Sequence, residues 1–177
     1  CKQFYPSSVK CRKCGHRMVK IGLQVKCQLE NIESLKPEGE DFRWYVKLKC
    51  ANCGDETPDF VYLTLQESQP LKGGRGSASL VVKCKLCSRE NSIDIIKESI
   101  KAYSAADANT FKTIVVFDCR GVEPVEFSPR VGFIAEALET GVLFKEVDLR
   151  EGEWADYDER GDQSVGIYEI EHKFVKA

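Results

Sequence analysis

The sequence predicts an all-β fold of mainly antiparallel strands, shaped like a barrel or a sandwich and containing few short helices. Apolar side chains occupy every second position in several segments, as half-buried strands require. Turns that contain glycine or proline separate these segments at short intervals, which is typical of antiparallel sandwiches and barrels. Helical patterns are scarce, because only residues 133–139 fit a short helix, and they fit an irregular strand equally well.

The predicted strands follow one another along the chain. The first is the clearest, because Ile21, Leu23, Val25, Cys27 and Leu29 alternate with polar residues and glycine. The second is rich in aromatic and β-branched side chains, which favour strands. In chain order the predicted strands are residues 21–29, 42–49, 60–65, 79–83, 92–96, 113–117 and 165–174.

Two weak internal similarities indicate a duplication. Residues 42–50 resemble residues 111–119, and residues 75–83 resemble residues 160–168. Two related β subdomains would explain both similarities. The alternative interpretation is that any two strand–turn segments look alike.

Charge divides the chain into two parts. Residues 1–17 carry five basic side chains and no acidic one, so the net charge of −2 becomes −7 for residues 18–177. We expect a basic N-terminal extension outside the core, followed by a single globular domain with possible subdomains 18–97 and 98–177. Residues 146–171 hold ten acids and two bases, which predicts a solvated face or a surface that attracts a basic partner.

Composition argues against several classes of protein. No segment approaches the ~20 apolar residues of a membrane-spanning helix. No signal peptide opens the sequence, so we expect a cytoplasmic protein that does not bind membranes. The net charge gives no indication of nucleic-acid binding.

The nine cysteines include three Cys-x-x-Cys pairs. In a cytoplasmic protein such pairs more often bind metal or perform redox chemistry than form disulfides. Cys50, Cys53, Cys84 and Cys87 predict one closed Zn²⁺ site, with one ion per chain, because two tight turns can direct four thiolates at one ion. Gly54 can adopt the positive φ that closes the first of these turns.

Other readings of these pairs fit less well. A thioredoxin-type dithiol opens a helix after a strand, and no such alternation is present. The spacing also matches neither common ferredoxin pattern of an iron–sulfur cluster.

The other candidate residues predict structural roles. Cys11 and Cys14, with His16 nearby, form a third pair that lacks a matching second pair. Cys27 and Cys119 are predicted to be small buried hydrophobes. In the duplication, Cys119 would stand where Cys50 does. His172 is predicted to be structural, and residues 71–77 lack the order of a phosphate-binding loop.

Seven segments carry longer motifs, at residues 39–45, 49–54, 71–79, 83–91, 117–121, 123–124 and 164–168. Together they resemble the eukaryotic CXXC-motif-containing zinc-binding protein family over nearly the whole chain. The resemblance implies a small, mainly β intracellular protein that holds one zinc ion at Cys50, Cys53, Cys84 and Cys87. It implies no specific biochemical role.

We therefore expect a monomeric, non-enzymatic protein-interaction module with a structural four-cysteine zinc site and no catalytic residues or further cofactor. Its expected partner is another protein. The alternative is a labile metal-handling or thiol-redox protein, because lysines flank the cysteine pairs and would lower thiol pKa values. A third hypothesis is an enzyme, or a protein that binds a small apolar ligand inside the barrel.

Overall fold

A computed structural model describes residues 18–74 and 76–177. The predictions on residues 1–17, including the Cys11/Cys14 pair and His16, lie outside the described residues. Within the described part, the chain forms fifteen strands and two single-turn 3-10 helices, at Lys97–Ser99 and Ala105–Asp107. Neither helix, nor any other in that part, has the length and hydropathy needed to cross a membrane. The predicted all-β class is confirmed.

The strands vary widely in length, and the first and the last are the longest. They are β1 (Met18–Glu30), β2 (Ile32–Pro37), β3 (Trp44–Cys50), β4 (Val61–Leu63), β5 (Gln69–Pro70), β6 (Ser77–Ala78), β7 (Leu80–Lys83), β8 (Glu90–Ile95), β9 (Tyr103–Ser104), β10 (Lys112–Arg120), β11 (Val122–Ser128), β12 (Phe133–Ala137), β13 (Leu143–Val147), β14 (Trp154–Asp158) and β15 (Gln163–Lys176).

Each of the seven predicted strands is present, and the ambiguous segment 133–139 forms strand β12. The sequence analysis did not predict β2 or β11, which directly follow β1 and β10. A single left-handed residue turns the chain before each of them, Asn31 at φ 53° and Gly121 at φ 77°. One such residue between two strands is a weak signal that a second strand follows.

Antiparallel pairing builds four sheets. The largest has six strands in the order β14-β15-β1-β10-β8-β7, so its centre is the β1–β10 pair. A three-stranded sheet has the order β11-β3-β4, and a four-stranded sheet has the order β13-β12-β2-β9. Strands β5 and β6 form a small separate ribbon.

The strand orders show an approximate two-fold relation between the halves of the chain. The six-stranded order reads the same when β1 is exchanged with β10, β8 with β15, and β7 with β14. Exchanging β11 with β2, β3 with β12 and β4 with β13 likewise turns the order β11-β3-β4 into β2-β12-β13. That order is the reverse of β13-β12-β2, the main part of the four-stranded sheet. The two halves therefore repeat one arrangement of strands.

The strand correspondences differ from those suggested by the sequence. Residues 42–50 lie in β3, whose counterpart is β12, whereas residues 111–119 lie mostly in β10, the counterpart of β1. The predicted match of Cys119 with Cys50 is therefore wrong. The halves also share their sheets, since β1 pairs with both β10 and β15, and β3 pairs with β11.

The core lies between the six-stranded sheet and the two smaller sheets. Trp44 is 1% exposed, and its ring lies 4.7 Å from Phe42 and 6.3 Å from Phe117 between ring centroids. Phe42 in turn contacts Phe133 at 4.7 Å. These edge-to-face contacts join β3, β10 and β12, so aromatic packing crosses the boundary between the halves.

Candidate metal centre

Two tight turns at one end of the molecule carry the four predicted metal ligands. The first knuckle, residues 50–54, begins at the last residue of β3. The second knuckle, residues 84–88, lies in the hairpin between β7 and β8. The three-stranded sheet therefore supplies one cysteine pair, and the six-stranded sheet supplies the other.

Both knuckles close through the same pair of backbone hydrogen bonds. Cys50 N donates to Asp55 O at 2.7 Å, and Gly54 N donates back to Cys50 O at 2.8 Å. The matching bonds in the second knuckle are Cys84 N to Arg89 O and Ser88 N to Cys84 O, at 2.9 and 3.0 Å. The fourth residue after each first cysteine is left-handed.

That left-handed position explains the predicted role of Gly54. Gly54 has φ 79°, as its place in the sequence suggested. Its counterpart in the second knuckle is Ser88, at φ 58°. A serine in this region carries backbone strain that glycine avoids.

The four sulfur atoms form a compact cluster, which we call the metal centre. All lie within 4.8 Å of one another. Cys50 Sγ is 3.8 Å from Cys87 Sγ, and Cys53 Sγ is 3.4 Å from Cys84 Sγ. Four sulfurs at ~2.3 Å from one zinc ion lie about 3.8 Å apart in a tetrahedron. The donor set and its spacing therefore fit Zn²⁺.

Backbone N–H groups aimed at sulfur shape the ionisation of the thiols. Burial opposes ionisation of Cys50, but the N–H groups of Cys53 and Asn52 lower the pKa of its thiol to about 6. The pKa of Cys87 is also lowered, chiefly by the Arg89 N–H. These N–H groups stabilise the thiolate, which is the form that binds metal.

The pKa of the Cys53 thiol is shifted upward, opposite to the shifts of Cys50 and Cys87. The Asp55 N–H favours its thiolate, but desolvation and the three neighbouring thiols raise the pKa of Cys53 to about 12. The metal-free centre therefore keeps a proton on Cys53 at neutral pH. Since zinc binds thiolates, metal binding must release that proton, and affinity rises with pH.

Polar side chains tie the two knuckles together. Arg89 Nη1 donates to Asn52 Oδ1 at 3.1 Å, from one knuckle to the other. Asn91 is 3% exposed and places Nδ2 3.6 Å from Cys50 Sγ. With the amide turned over, Nδ2 would donate to Gly121 O at 3.1 Å instead. A thiolate at Cys50 accepts hydrogen bonds only, so it favours the first orientation.

The metal centre is unevenly buried. Cys50 and Cys84 are 5% and 7% exposed, Cys87 is half-buried, and Cys53 is exposed. A cleft of about 70 Å³ reaches Cys50 and Cys84 beneath Asp55 and Lys83. The Asp55 carboxylate lies 3.6 Å from Cys84 Sγ. Solvent thus reaches Cys53 directly, and the cleft leads to the more buried Cys50 and Cys84.

The structure gives the other candidate residues packing roles. Cys27 and Cys119 are 0% and 1% exposed, and burial raises the pKa of Cys27 to about 12. His172 Nε2 accepts a hydrogen bond from Phe127 N at 3.3 Å, and its ring packs against Phe127 and Phe174. Among the described residues of segment 71–77, Leu71 N donates to Gly76 O, which closes a turn before β6.

A second place in the fold repeats the metal centre without its cysteines. Ala137 N donates to Val142 O at 2.9 Å, and Gly141 N donates to Ala137 O at 3.1 Å, as in the first knuckle. The hairpin between β14 and β15 corresponds to the second knuckle. Its strand register pairs Asp158 with Gln163, five residues later, just as Cys84 is hydrogen-bonded to Arg89, five residues later.

Aligning these loops residue by residue gives the counterparts of the four cysteines. They are Ala137, Thr140, Asp158 and Gly161, which we call the related site. In the related site, Thr140 Oγ1 donates a hydrogen bond to Asp158 Oδ2. The corresponding contact in the metal centre is the one between the sulfurs of Cys53 and Cys84. Sequence reasoning missed this site because none of its four residues is a cysteine.

Comparison with known proteins identifies similar chains. The family model for eukaryotic CXXC motif containing zinc binding proteins matches residues 22–175. A CXXC motif containing zinc binding protein of Xenopus laevis is 60% identical over 90% of this chain and 99% of its own. The corresponding protein of Homo sapiens is 58% identical over the same shares.

Solved structures share the fold. The crystal structure of C1orf123 matches with a TM-score of 0.86 and 57% identity, covering 89% of this chain and 99% of that chain. A hypothetical protein from Plasmodium falciparum matches with a TM-score of 0.80 at 24% identity, covering 88% of this chain and 99% of that one. The arrangement of strands therefore extends to distant relatives.

Proposed function

The chain belongs to the eukaryotic family of CXXC motif containing zinc binding proteins, and from that premise we propose that it is a zinc-stabilised, non-enzymatic module that binds another protein. In this proposal the metal centre, formed by Cys50, Cys53, Cys84 and Cys87, holds one structural Zn²⁺ ion. The partner is another protein.

The observation that carries the proposal is the origin of the four sulfurs. Two come from the end of a three-stranded sheet and two from a hairpin of the six-stranded sheet. An ion at their centre would add a direct link between two sheets that otherwise meet through side-chain packing and hydrogen bonds such as those from Arg89 to Asn52 and from Phe127 to His172. Structural zinc sites of this donor type contribute folding free energy directly.

The donor set supports a structural role over a catalytic one. Four thiolates complete a tetrahedral shell, whereas catalytic zinc sites keep one position for water or substrate. The internal cavity nearest to Cys27 and Tyr103 is about 20 Å³, which is room for about one water molecule. A small apolar ligand therefore does not fit the interior at that place.

The tip of the second knuckle supports a role in protein binding. Leu86 is 70% exposed, and both Lys85 and Arg89 beside it are exposed. In the proposal, zinc would hold this turn in place, and Leu86 between its charged neighbours would be a preorganised contact for the partner.

Zinc analysis tests the metal part of the proposal. We expect one zinc per chain in the wild-type protein and none in Cys50→Ser or Cys84→Ser. Ala137→Ser is the matched control, because Ala137 occupies the corresponding position in the related site. A Cys50→Ser protein that keeps one zinc per chain would contradict the assignment.

Affinity capture tests the interaction part. Proteins retained from cell extract by the wild type but not by Leu86→Ser would support it. Leu143→Ser is the matched control, since Leu143 is 49% exposed on β13. If the wild type, Leu86→Ser and Leu143→Ser all retain the same proteins, the second knuckle is not the contact.

A second candidate function is the handling of exchangeable zinc. The exposure of Cys53 and the cleft that reaches Cys84 favour it, because an incoming ligand has access to the sulfurs. Zinc removed by a mild chelator within minutes from a protein that stays folded would support exchange. Zinc retained until denaturation would support the structural role.

A further inference from the structure

The outer face of the three-stranded sheet carries a cluster of aromatic rings. Tyr45 of β3 and Tyr62 of β4 are directly paired across the strands, with ring centroids 5.8 Å apart. Phe60 lies just before β4, and all three rings are half-buried. Their strand neighbours Trp44 and Leu63 point into the core, so these rings form a separate surface.

Two arginines cover these rings. The Arg130 guanidinium lies 4.1 Å from the centroid of Tyr45 and 5.6 Å from that of Phe60. The Arg43 guanidinium lies 4.8 Å from the centroid of Tyr62. The two guanidinium groups therefore lie over two neighbouring tyrosine rings. We call these five residues the arginine–tyrosine face.

The arginines differ from the lysines on the same sheet in lacking acidic partners. Lys47 pairs with Glu126 at 2.9 Å, and Lys49 pairs with Glu56 at 3.4 Å. Within residues 18–74 and 76–177, no carboxylate lies within 4.0 Å of Arg43 or Arg130. This is unexpected in a domain whose net charge is −7.

Stacking decides which kind of ligand the face can take. The guanidinium groups already occupy ring faces, so the rings are not open to nucleic-acid bases, which bind by stacking. A stacked guanidinium keeps N–H groups at its edge, and these match the two oxygens of a carboxylate. Two such groups side by side suit two neighbouring carboxylates.

We propose that the arginine–tyrosine face binds an acidic segment of a partner protein through carboxylates paired with Arg43 and Arg130. The proposal rests on the protein-binding function proposed above and names the chemistry of one partner. Tyr45 and Tyr62 hold the two guanidinium groups in place before binding, which reduces the entropy cost of ordering two long side chains. The second half lacks this face, because Gly132 occupies the position that corresponds to Tyr45.

Binding of a defined peptide tests the proposal. The probe is a fluorescein-labelled peptide of eight glutamates, titrated with the zinc-loaded full chain at low salt and followed by anisotropy. A peptide of eight glutamines is the neutral reference. We expect saturable binding of the glutamate peptide and a loss of at least about tenfold in affinity for Arg43→Gln/Arg130→Gln.

Matched variants separate recognition from general charge. Arg150→Gln removes an exposed arginine that pairs with Asp148, and we expect its affinity to stay within about twofold of wild type. Arg43→Lys/Arg130→Lys keeps the charge but removes the planar donors, and we expect most of the loss to persist.

Three outcomes would overturn the proposal. They are unchanged affinity in the double glutamine variant, equal losses in Arg150→Gln, and wild-type affinity in the double lysine variant. Zinc content measured on the same samples distinguishes failure of the peptide-binding proposal from failure of the metal assignment. A peptide that does not bind while zinc remains at one per chain rejects the face alone.

Discussion

The metal centre and the related site show one backbone arrangement with two chemistries. In both, a turn after a strand and a turn within a hairpin face each other, with matching hydrogen bonds and similar left-handed positions at Ser88 and Asp162. One end brings four sulfurs together. The other joins Thr140 to the buried carboxylate of Asp158.

The comparison shows that the backbone arrangement does not depend on metal. Loop closure at Ala137 uses the same two hydrogen bonds as closure at Cys50, and it needs no ligand. What the cysteines add is a set of four ligands through which a metal ion would link the two sheets. Charge also differs, since residues 83–90 carry three bases and one acid, whereas residues 157–164 carry three acids and one base.

Loss of the metal should have the largest effect on stability. We expect Cys50→Ser to lower the melting temperature by at least about 10 °C, since 1 kcal/mol corresponds to ~2–4 °C in a protein of this size. Ala137→Ser, which places a serine at the corresponding position of the related site, should lower it far less. Equal shifts in differential scanning calorimetry would show that the two ends are energetically alike.

Rebuilding the ligands should convert the related site into a second metal site. We expect Ala137→Cys/Thr140→Cys/Asp158→Cys/Gly161→Cys to bind two zinc ions per chain, measured by mass spectrometry of metals. A Cβ at Gly161 would lie 2.9 Å from Asp158 Oδ2 and 3.1 Å from both Thr140 Cγ2 and Gln163 Nε2. The first two atoms disappear in this variant, and the end of the Gln163 side chain must shift. The corresponding four-serine variant is the control and should bind one.

A folded quadruple variant that binds only one zinc would break the comparison. It would mean that the related site has drifted too far from tetrahedral geometry to bring four sulfurs together. Far-ultraviolet circular dichroism identifies whether the variant is folded.

Acid should disrupt the metal centre and the related site at different pH values. Thr140 and backbone N–H groups lower the pKa of Asp158 below its ordinary 3.8, so its contribution to stability is complete above that pH and is lost as the pH falls through the lowered value. Zinc binding needs thiolates and should fail at higher pH. Amide exchange at Gly54 and Gly141, followed by NMR, should show Gly54 losing protection first. Simultaneous loss would show that the ends unfold together.

Removing the hydroxyl at the related site should give a moderate effect. Thr140→Val keeps the shape of the side chain but deletes its hydrogen bond to Asp158. We expect a lower melting temperature, a smaller effect than that of Cys50→Ser, and unchanged zinc content. A melting temperature equal to that of wild type would show that the bond contributes nothing.

The smallest expected effect concerns the left-handed serine. Ser88→Gly relieves strain of about 1–2 kcal/mol but increases the entropy lost on folding by ~0.5–1 kcal/mol. We expect a small gain in stability by chemical denaturation. Ser77→Gly, in strand β6 without positive φ, is the control and should lose stability. A lower stability of Ser88→Gly would mean that the contacts of the serine side chain contribute more to stability than its backbone strain costs.

The sequence was sufficient where the signal is local. Cysteine spacing pointed to the four sulfurs, because each pair lies within one turn, and alternation located strand β1. It failed where contacts are distant in sequence. The bond from Arg89 to Asn52 and the approach of Asn91 to Cys50 depend on which sheets meet, which no local pattern encodes.

The duplication shows the same limit. The two halves share strand order and backbone hydrogen bonds, but Cys50 corresponds to Ala137 and Cys87 to Gly161. Backbone bonds do not require particular side chains, so the two halves share them although their side chains differ. The similarity of residues 42–50 to residues 111–119 reflected two strands of like composition.

Strand β1 lies between β10 and β15, so its second edge is paired only after β15, the last of the described strands, has been synthesised. Such distant pairing makes folding slow. The first half meanwhile exposes strand edges of the kind that promote aggregation. The metal centre, by contrast, needs only residues 50–87. Zinc could therefore join the two knuckles early in synthesis and hold half of the fold while the rest of the chain arrives.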